Sequence, residues 1–82
     1  LEYGTATIEV HKDSIKENEN VLIIDDLIAT GGTAEAAAKL VEISKGKVAA
    51  FIFVIDLFDL GGKDNLIKKN YKVHTLIEFP GH

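Results

Sequence analysis

The chain has 82 residues, of which 46% are apolar and 27% charged, enough for a single small domain over residues 1–82 and too few for a second hydrophobic core. Its net charge is −4, with a sequence pI near 5.2, so no clustered positive charge offers a nucleic acid or an anionic membrane a binding surface. It has no cysteine, which excludes disulfides, thiolate metal sites and cysteine nucleophiles together.

All the basic residues are lysines, so the chain has no guanidinium fork with which to grip a diphosphate through two parallel bonds. The longest apolar run, Val48 to Ile55, is far shorter than a membrane span of ~20 residues. The N-terminus lacks the basic-then-apolar pattern of a leader, and a cytoplasmic location is expected. The first residue is Leu1, which suggests an excised piece of something longer, with an N-terminal part missing.

Thr5, Thr7 and Glu9 alternate with Ala6, Ile8 and Val10, the period of a half-buried strand. His11 to Asn20 is a polar connection. Val21 to Ile24 is a short apolar run, mostly β-branched, followed at once by two acids. This predicts a buried central strand that stops near Asp25. After Gly31-Gly32, the residues Ala34, Ala37, Ala38, Leu40 and Val41 recur on one side of a helix. Thr33 is its expected N-cap and Gly46 its expected stop.

Lys47 to Asp56 is apolar almost throughout and reads as the next strand. The strand–helix–strand order predicts a β-α-β unit with parallel strands and a right-handed crossover. The stretch Asp59 to Asn70 holds a Gly-Gly turn and one or two helical turns around Leu66 and Ile67. Lys72 to Phe79 is the last strand, ended by Pro80 and Gly81. A parallel sheet needs both faces covered, yet only one full helix is in view. A partner chain or a further N-terminal segment should therefore cover the second face.

The run Ile24-Asp25-Asp26-Leu27-Ile28-Ala29-Thr30-Gly31-Gly32-Thr33 carries the chemistry. Ligands of parallel sheets gather beyond the carboxyl ends of the strands, where these residues fall. A helix N-terminus presents unpaired N–H groups to an anion, the glycines allow close backbone approach, and Thr30 and Thr33 add hydroxyl donors. Two carboxylates beside an anion site make sense if they accept hydrogen bonds from neighbouring hydroxyls, such as those of a ribose. The lysine of a Walker loop is absent, and the spacing is not the dinucleotide one. On spacing alone, a solvated strand end followed by a simple turn would account for the same residues.

Ile23 to Thr33 closely resembles the signature of type I phosphoribosyltransferases. The variant Asp-Asp-Leu-Ile-Ala-Thr-Gly-Gly-Thr is preceded by Leu1-Glu2-Tyr3-Gly4 and His11-Lys12-Asp13, and in this form it is similar to the adenine phosphoribosyltransferase family. The likeness extends through the Leu60 to Leu66 turn and the ending Leu76-Ile77-Glu78-Phe79.

The resemblance implies an α/β fold: a partial, Rossmann-like parallel sheet with one main crossover helix. It implies transfer of a phosphoribosyl group from phosphoribosyl diphosphate to adenine, giving AMP and diphosphate with Mg2+, in a chain that is a homodimer in its full form. Carried over by position, Asp25 and Asp26 would hold the ribose hydroxyls, and Ala29, Thr30, Gly31, Gly32 and Thr33 the 5-phosphate. Mg2+ would arrive with the substrate, near Asp25 and Asp26, without direct protein ligands. Glu2 would be the catalytic-loop acid and Tyr3 the ring that helps close that loop. A second expectation, from another class, is a ribonucleotide-binding module without catalysis. His11, His74 and His82 are read as structural or inert, and Lys68-Lys69 as a solvated face.

Overall fold

A computed structural model describes residues 17–81. The expected first strand, Glu2, Tyr3, His11 and His82 lie outside the described residues. The described elements are β1 (Asn20–Ile28), α1 (Gly32–Ile43), β2 (Lys47–Leu57), a 3-10 turn (Phe58–Leu60), α2 (Gly62–Lys68) and β3 (Val73–Phe79). The sheet order is β1-β2-β3, and both neighbouring pairs are parallel.

β1 does not stop at Asp25. Its ladder with β2 continues through Asp25↔Phe53 and Leu27↔Ile55 to Ile28↔Asp56. Acidic side chains weaken a strand when buried, but here the backbone pairing carries them to its carboxyl end. The helix differs from expectation at both ends. Its N-cap is Gly31, with φ 90, and no side chain caps it, so the hydroxyl of Thr33 closes no helix end. At the other end the left-handed residue is Lys45, with φ 66, ahead of Gly46. The Gly46 N–H donates to the Val41 carbonyl at 2.9 Å and the Lys45 N–H to Glu42 at 2.9 Å, which satisfies carbonyls that the helix leaves open.

One face of the sheet is packed. Ile23, Phe51 and Phe53 meet Ala34, Ala37, Ala38 and Val41 of α1 and Leu66 of α2 in one buried cluster. The small α1 residues let the helix lie close to two phenylalanine rings, which stack with centroids 5.9 Å apart. Tyr71 closes the cluster edge-on to Phe51 at 5.4 Å, while its hydroxyl donates to the Glu42 carboxylate at 2.9 Å. Leu40, expected on the buried side, is instead exposed. The Lys69 ammonium pairs with Glu35 at 3.0 Å across the two helices, an exposed contact of small energetic weight.

Among the described residues no element covers the opposite face, the arrangement expected from its strand composition. Leu22, Ile24 and Leu76 are 56%, 65% and 71% exposed. Both described helices lie on the other side, since each contributes to the single core cluster.

Asp56 is the one buried charged residue among those described, 3% exposed, and its Oδ1 has no hydrogen-bond partner. Burial raises its pKa above the ordinary carboxylate range, Lys63 pulls it back, and Glu78 and Asp64 push it further up. A raised carboxyl pKa in the fold means that the folded state holds the proton more tightly than the unfolded chain. Stability is then fullest below the ordinary carboxylate pKa and falls as pH rises through the folded value. Asp56→Asn removes the buried charge, and we expect it to stabilise the chain by about 1 kcal/mol at neutral pH. The gain should vanish as pH falls toward about 4, and urea melts at the two pH values would measure it. An equal gain at both would show that the carboxylate charge is not the cause.

Candidate functional site

The carboxyl end of β1, the loop that follows and the first turn of α1 enclose a small cavity of about 50 Å3. It is lined by Asp25, Leu27, Ile28, the whole loop Ala29 to Thr33, Ala34 and Phe53. Six of the seven expected ribose and phosphate residues thus border one space. Asp26, the seventh, is exposed and does not line it, because successive strand residues point to opposite faces. The volume suits one small group, such as a phosphate, rather than a whole nucleotide.

The loop's shape follows from its two glycines. Gly31 adopts φ 90, a left-handed conformation that side chains resist and glycine takes freely. This reversal turns the chain from β1 into α1 within a few residues. The first helical hydrogen bond runs from the Glu35 N–H to the Gly31 carbonyl at 2.9 Å. The amides of Gly32, Thr33 and Ala34 therefore precede the helical ladder and remain as donors at the positive end of the helix dipole. Thr30, Gly32 and Thr33 are exposed and accessible to a ligand.

Asp25, which lines the cavity, accepts a hydrogen bond on Oδ1 from the Asp26 N–H at 2.9 Å, which restrains its carboxylate. Its pKa is raised, first by burial and then by hydrogen bonding and charge from Asp26, against a lowering by the Asp26 amide. A group bearing hydroxyl donors would satisfy this partly desolvated acceptor.

Two features of the neighbourhood were not legible in the sequence. Gly61-Gly62 reads there as a plain turn, but Gly62 packs directly against the loop, its N–H donating to the Ala29 carbonyl at 3.1 Å. A second cavity, of about 180 Å3, lies at the ends of β2 and β3 and is lined by Asp56, Phe58, Gly61, Lys63, Asp64 and Glu78. Among the described residues no three His, Cys, Asp or Glu side chains converge closely enough to hold a metal ion. His74 lies exposed in β3.

The sequence pattern of the phosphoribosyl transferase domain matches residues 2–81. The chain belongs to that family. It is 77% identical, over all 82 residues, to the adenine phosphoribosyltransferase of Pelagibacter ubique, of which it covers 47%. The crystal structure of adenine phosphoribosyltransferase from Rhodothermus marinus superimposes with a TM-score of 0.79 at 49% identity, over 96% of this chain and 44% of that one. The Trypanosoma brucei adenine phosphoribosyltransferase was solved with AMP, pyrophosphate and ribose-5-phosphate. It superimposes with a TM-score of 0.68 at 27% identity, over 77% of this chain and 30% of that one. The chain thus spans about half the length of the curated relatives it matches. As a phosphoribosyl transferase domain it has the α/β fold, with three described parallel strands, that its motif implied.

Proposed function

We propose that the chain is the sugar-phosphate-binding part of a purine salvage enzyme that converts adenine and phosphoribosyl diphosphate to AMP and diphosphate. The observation that carries the reading is the cavity at the end of β1. There Asp25 and the loop Ala29 to Thr33 border one space, with the leading amides of α1 beside it. The relatives' names agree with it.

On this reading the 5-phosphate sits against Ala29, Thr30, Gly31, Gly32 and Thr33, held by backbone amides and the two threonine hydroxyls. Asp25 takes a ribose hydroxyl at the mouth of the cavity, and Asp26 takes the neighbouring one from the outer side of the strand. In the transfer, the bond from the anomeric carbon to the diphosphate oxygen breaks, the diphosphate leaving with the electron pair; N9 of adenine then bonds to that carbon, and the proton of the purine imidazole ring passes to Glu2, which the resemblance places near that ring. Positive charge develops on the sugar between the two events, and the carboxylates near it stabilise that charge. Glu2 and Tyr3, outside the described residues, are assigned by resemblance to the loop that closes over the reacting carbon and excludes water.

Asp25 and Asp26 are hard oxygen donors of the kind Mg2+ accepts. Two carboxylates are too few for an independent site, so Mg2+ fits as a companion of the substrate. When bound, it neutralises charge on the departing diphosphate. Adenine, AMP and phosphoribosyl diphosphate are the small-molecule partners on this reading. The bare sheet face fits a homodimer subunit or a further segment of the kind present in the longer relatives.

The test is a nuclear magnetic resonance titration of the 82-residue chain with ribose 5-phosphate and with ribose. Ribose 5-phosphate should shift the amides of Gly31, Gly32 and Thr33, and ribose should leave them in place. The same chain given adenine, phosphoribosyl diphosphate and Mg2+ should form little or no AMP, because no arginine is present to grip the diphosphate. Absence of any amide shift with ribose 5-phosphate would sink the reading.

A further inference from the structure

Gly62 opens α2, some thirty positions along the chain from the loop Ala29 to Thr33, yet the two backbones touch. A Cβ placed on Gly62 would overlap the Ala29 carbonyl oxygen and lie 2.8 Å from both the Gly31 nitrogen and the Thr30 carbonyl carbon. The relation is mutual: a Cβ on Gly31 would lie 3.1 Å from the Gly62 Cα and carbonyl oxygen. All of these neighbours are backbone atoms, which cannot rotate away as the end of a long side chain can. Three of the five loop residues are in contact with this single glycine.

The adjacent Gly61 has a different reason to be glycine. It sits at φ 76, and nothing lies within 4 Å of its would-be Cβ, so it serves the turn and not the loop. Among the described residues, the bond from Gly62 N–H to the Ala29 carbonyl is the backbone hydrogen bond that joins the loop to an element other than α1. No side-chain hydrogen bond among the described residues takes its place at Thr30 or Thr33.

We propose that Gly62 is a positioning residue of the anion site. It sets the height of the loop Ala29 to Thr33 above the end of β1, so that the leading amides of α1 converge on one phosphate group. The proposal rests on the phosphate-binding reading of that loop. It makes α2 a structural partner in the occupancy of a cavity that Gly62 does not line.

The experiment compares three versions of the 82-residue chain, unaltered, Gly62→Ala and Gly61→Asn, each titrated with ribose 5-phosphate and followed at the backbone amides. Asparagine tolerates the left-handed conformation and meets open space at position 61. Gly61→Asn should therefore bind within about twofold of the unaltered chain, whereas Gly62→Ala should bind at least about tenfold more weakly with its far-ultraviolet circular dichroism unchanged. Should Gly62→Ala fail to fold, amide exchange in the unaltered chain decides. Saturation with ribose 5-phosphate should slow exchange at Gly62 by about tenfold and leave Lys68, at the far end of α2, unaffected.

The proposal is overturned if folded Gly62→Ala binds as the unaltered chain does, or if Gly62 exchange ignores the ligand. If the unaltered chain shows no shift at Gly31 to Thr33, the phosphate reading itself has failed. That outcome is distinct from binding that survives at a loop indifferent to Gly62.

Discussion

Gly31→Val is expected to lower the affinity of the chain for ribose 5-phosphate by about a hundredfold or more while leaving the sheet folded. Gly31 holds φ 90 at the N-cap of α1, where a β-branched residue is a steric outlier costing roughly 1–3 kcal/mol. The new Cβ would also press on the Gly62 Cα and carbonyl oxygen, each 3.1 Å away, and Gly62 cannot retreat without moving α2. The loop gives way first, because it carries no core side chain apart from its flanks Ile28 and Ala34. Losing even two charge-assisted bonds to a phosphate, each worth about 1.5–3 kcal/mol, removes two or more powers of ten in affinity.

Isothermal titration calorimetry with ribose 5-phosphate, beside circular dichroism of the same samples, would check this. Unchanged affinity in a folded Gly31→Val chain would mean that the loop does not use its backbone to bind. Loss of fold together with affinity would move Gly31 from the site to the scaffold.

The second large effect concerns stability. Phe51 is fully buried at the centre of β2, the middle strand. It touches Phe53 on one side and the edge of Tyr71 on another, and it belongs to the cluster that joins α1, α2 and the sheet. Phe51→Ala should destabilise by about 3–5 kcal/mol. Total stability is of order 5–15 kcal/mol for an ordinary domain, and a small sheet with one covered face belongs at the low end. Most of its margin would go.

A urea melt should show the midpoint of Phe51→Ala collapsing toward zero denaturant, while Phe51→Leu, which keeps most of the volume, should lose less than half as much. A fall of under ~1 kcal/mol for the alanine variant would show that the core cluster is not the cooperative unit described above. Because binding to the folded state stabilises it by mass action, ribose 5-phosphate should raise the urea midpoint of Phe51→Ala and leave that of Gly31→Val unchanged.

The longer span of β1 shows how far a local reading reaches. Val21 to Ile24 announces a strand by its side chains, but Asp25 and Asp26 look like a stop. They are carried inside the strand because β2, twenty-odd residues later, continues to Leu57 and pairs with Asp25 and, beyond the second acid, with Leu27 and Ile28. Helix capping shows the same limit. Threonine is a good cap by type, yet Gly31 takes the position because only a left-handed residue can turn the chain there. Lys45, one residue before the expected stop Gly46, adopts the left-handed conformation that ends the helix, a detail that side-chain chemistry alone does not forecast.

The residues along the chain determined the order of elements, the parallel β-α-β unit, the bare second face and the loop from Ala29 to Thr33 as the place for an anion. Each follows from local periodicity, from glycine's freedom at positive φ or from the amides that begin every helix, and these are properties of short stretches. Only the tertiary structure decided that Asp25 faces the cavity while Asp26 does not. It alone showed that Asp56 is buried with an unmet oxygen, and that Gly62 lies against a loop some thirty residues away. Those facts depend on the register and twist of strands paired across the chain, and on how closely two backbones approach, neither of which is encoded by neighbours in sequence.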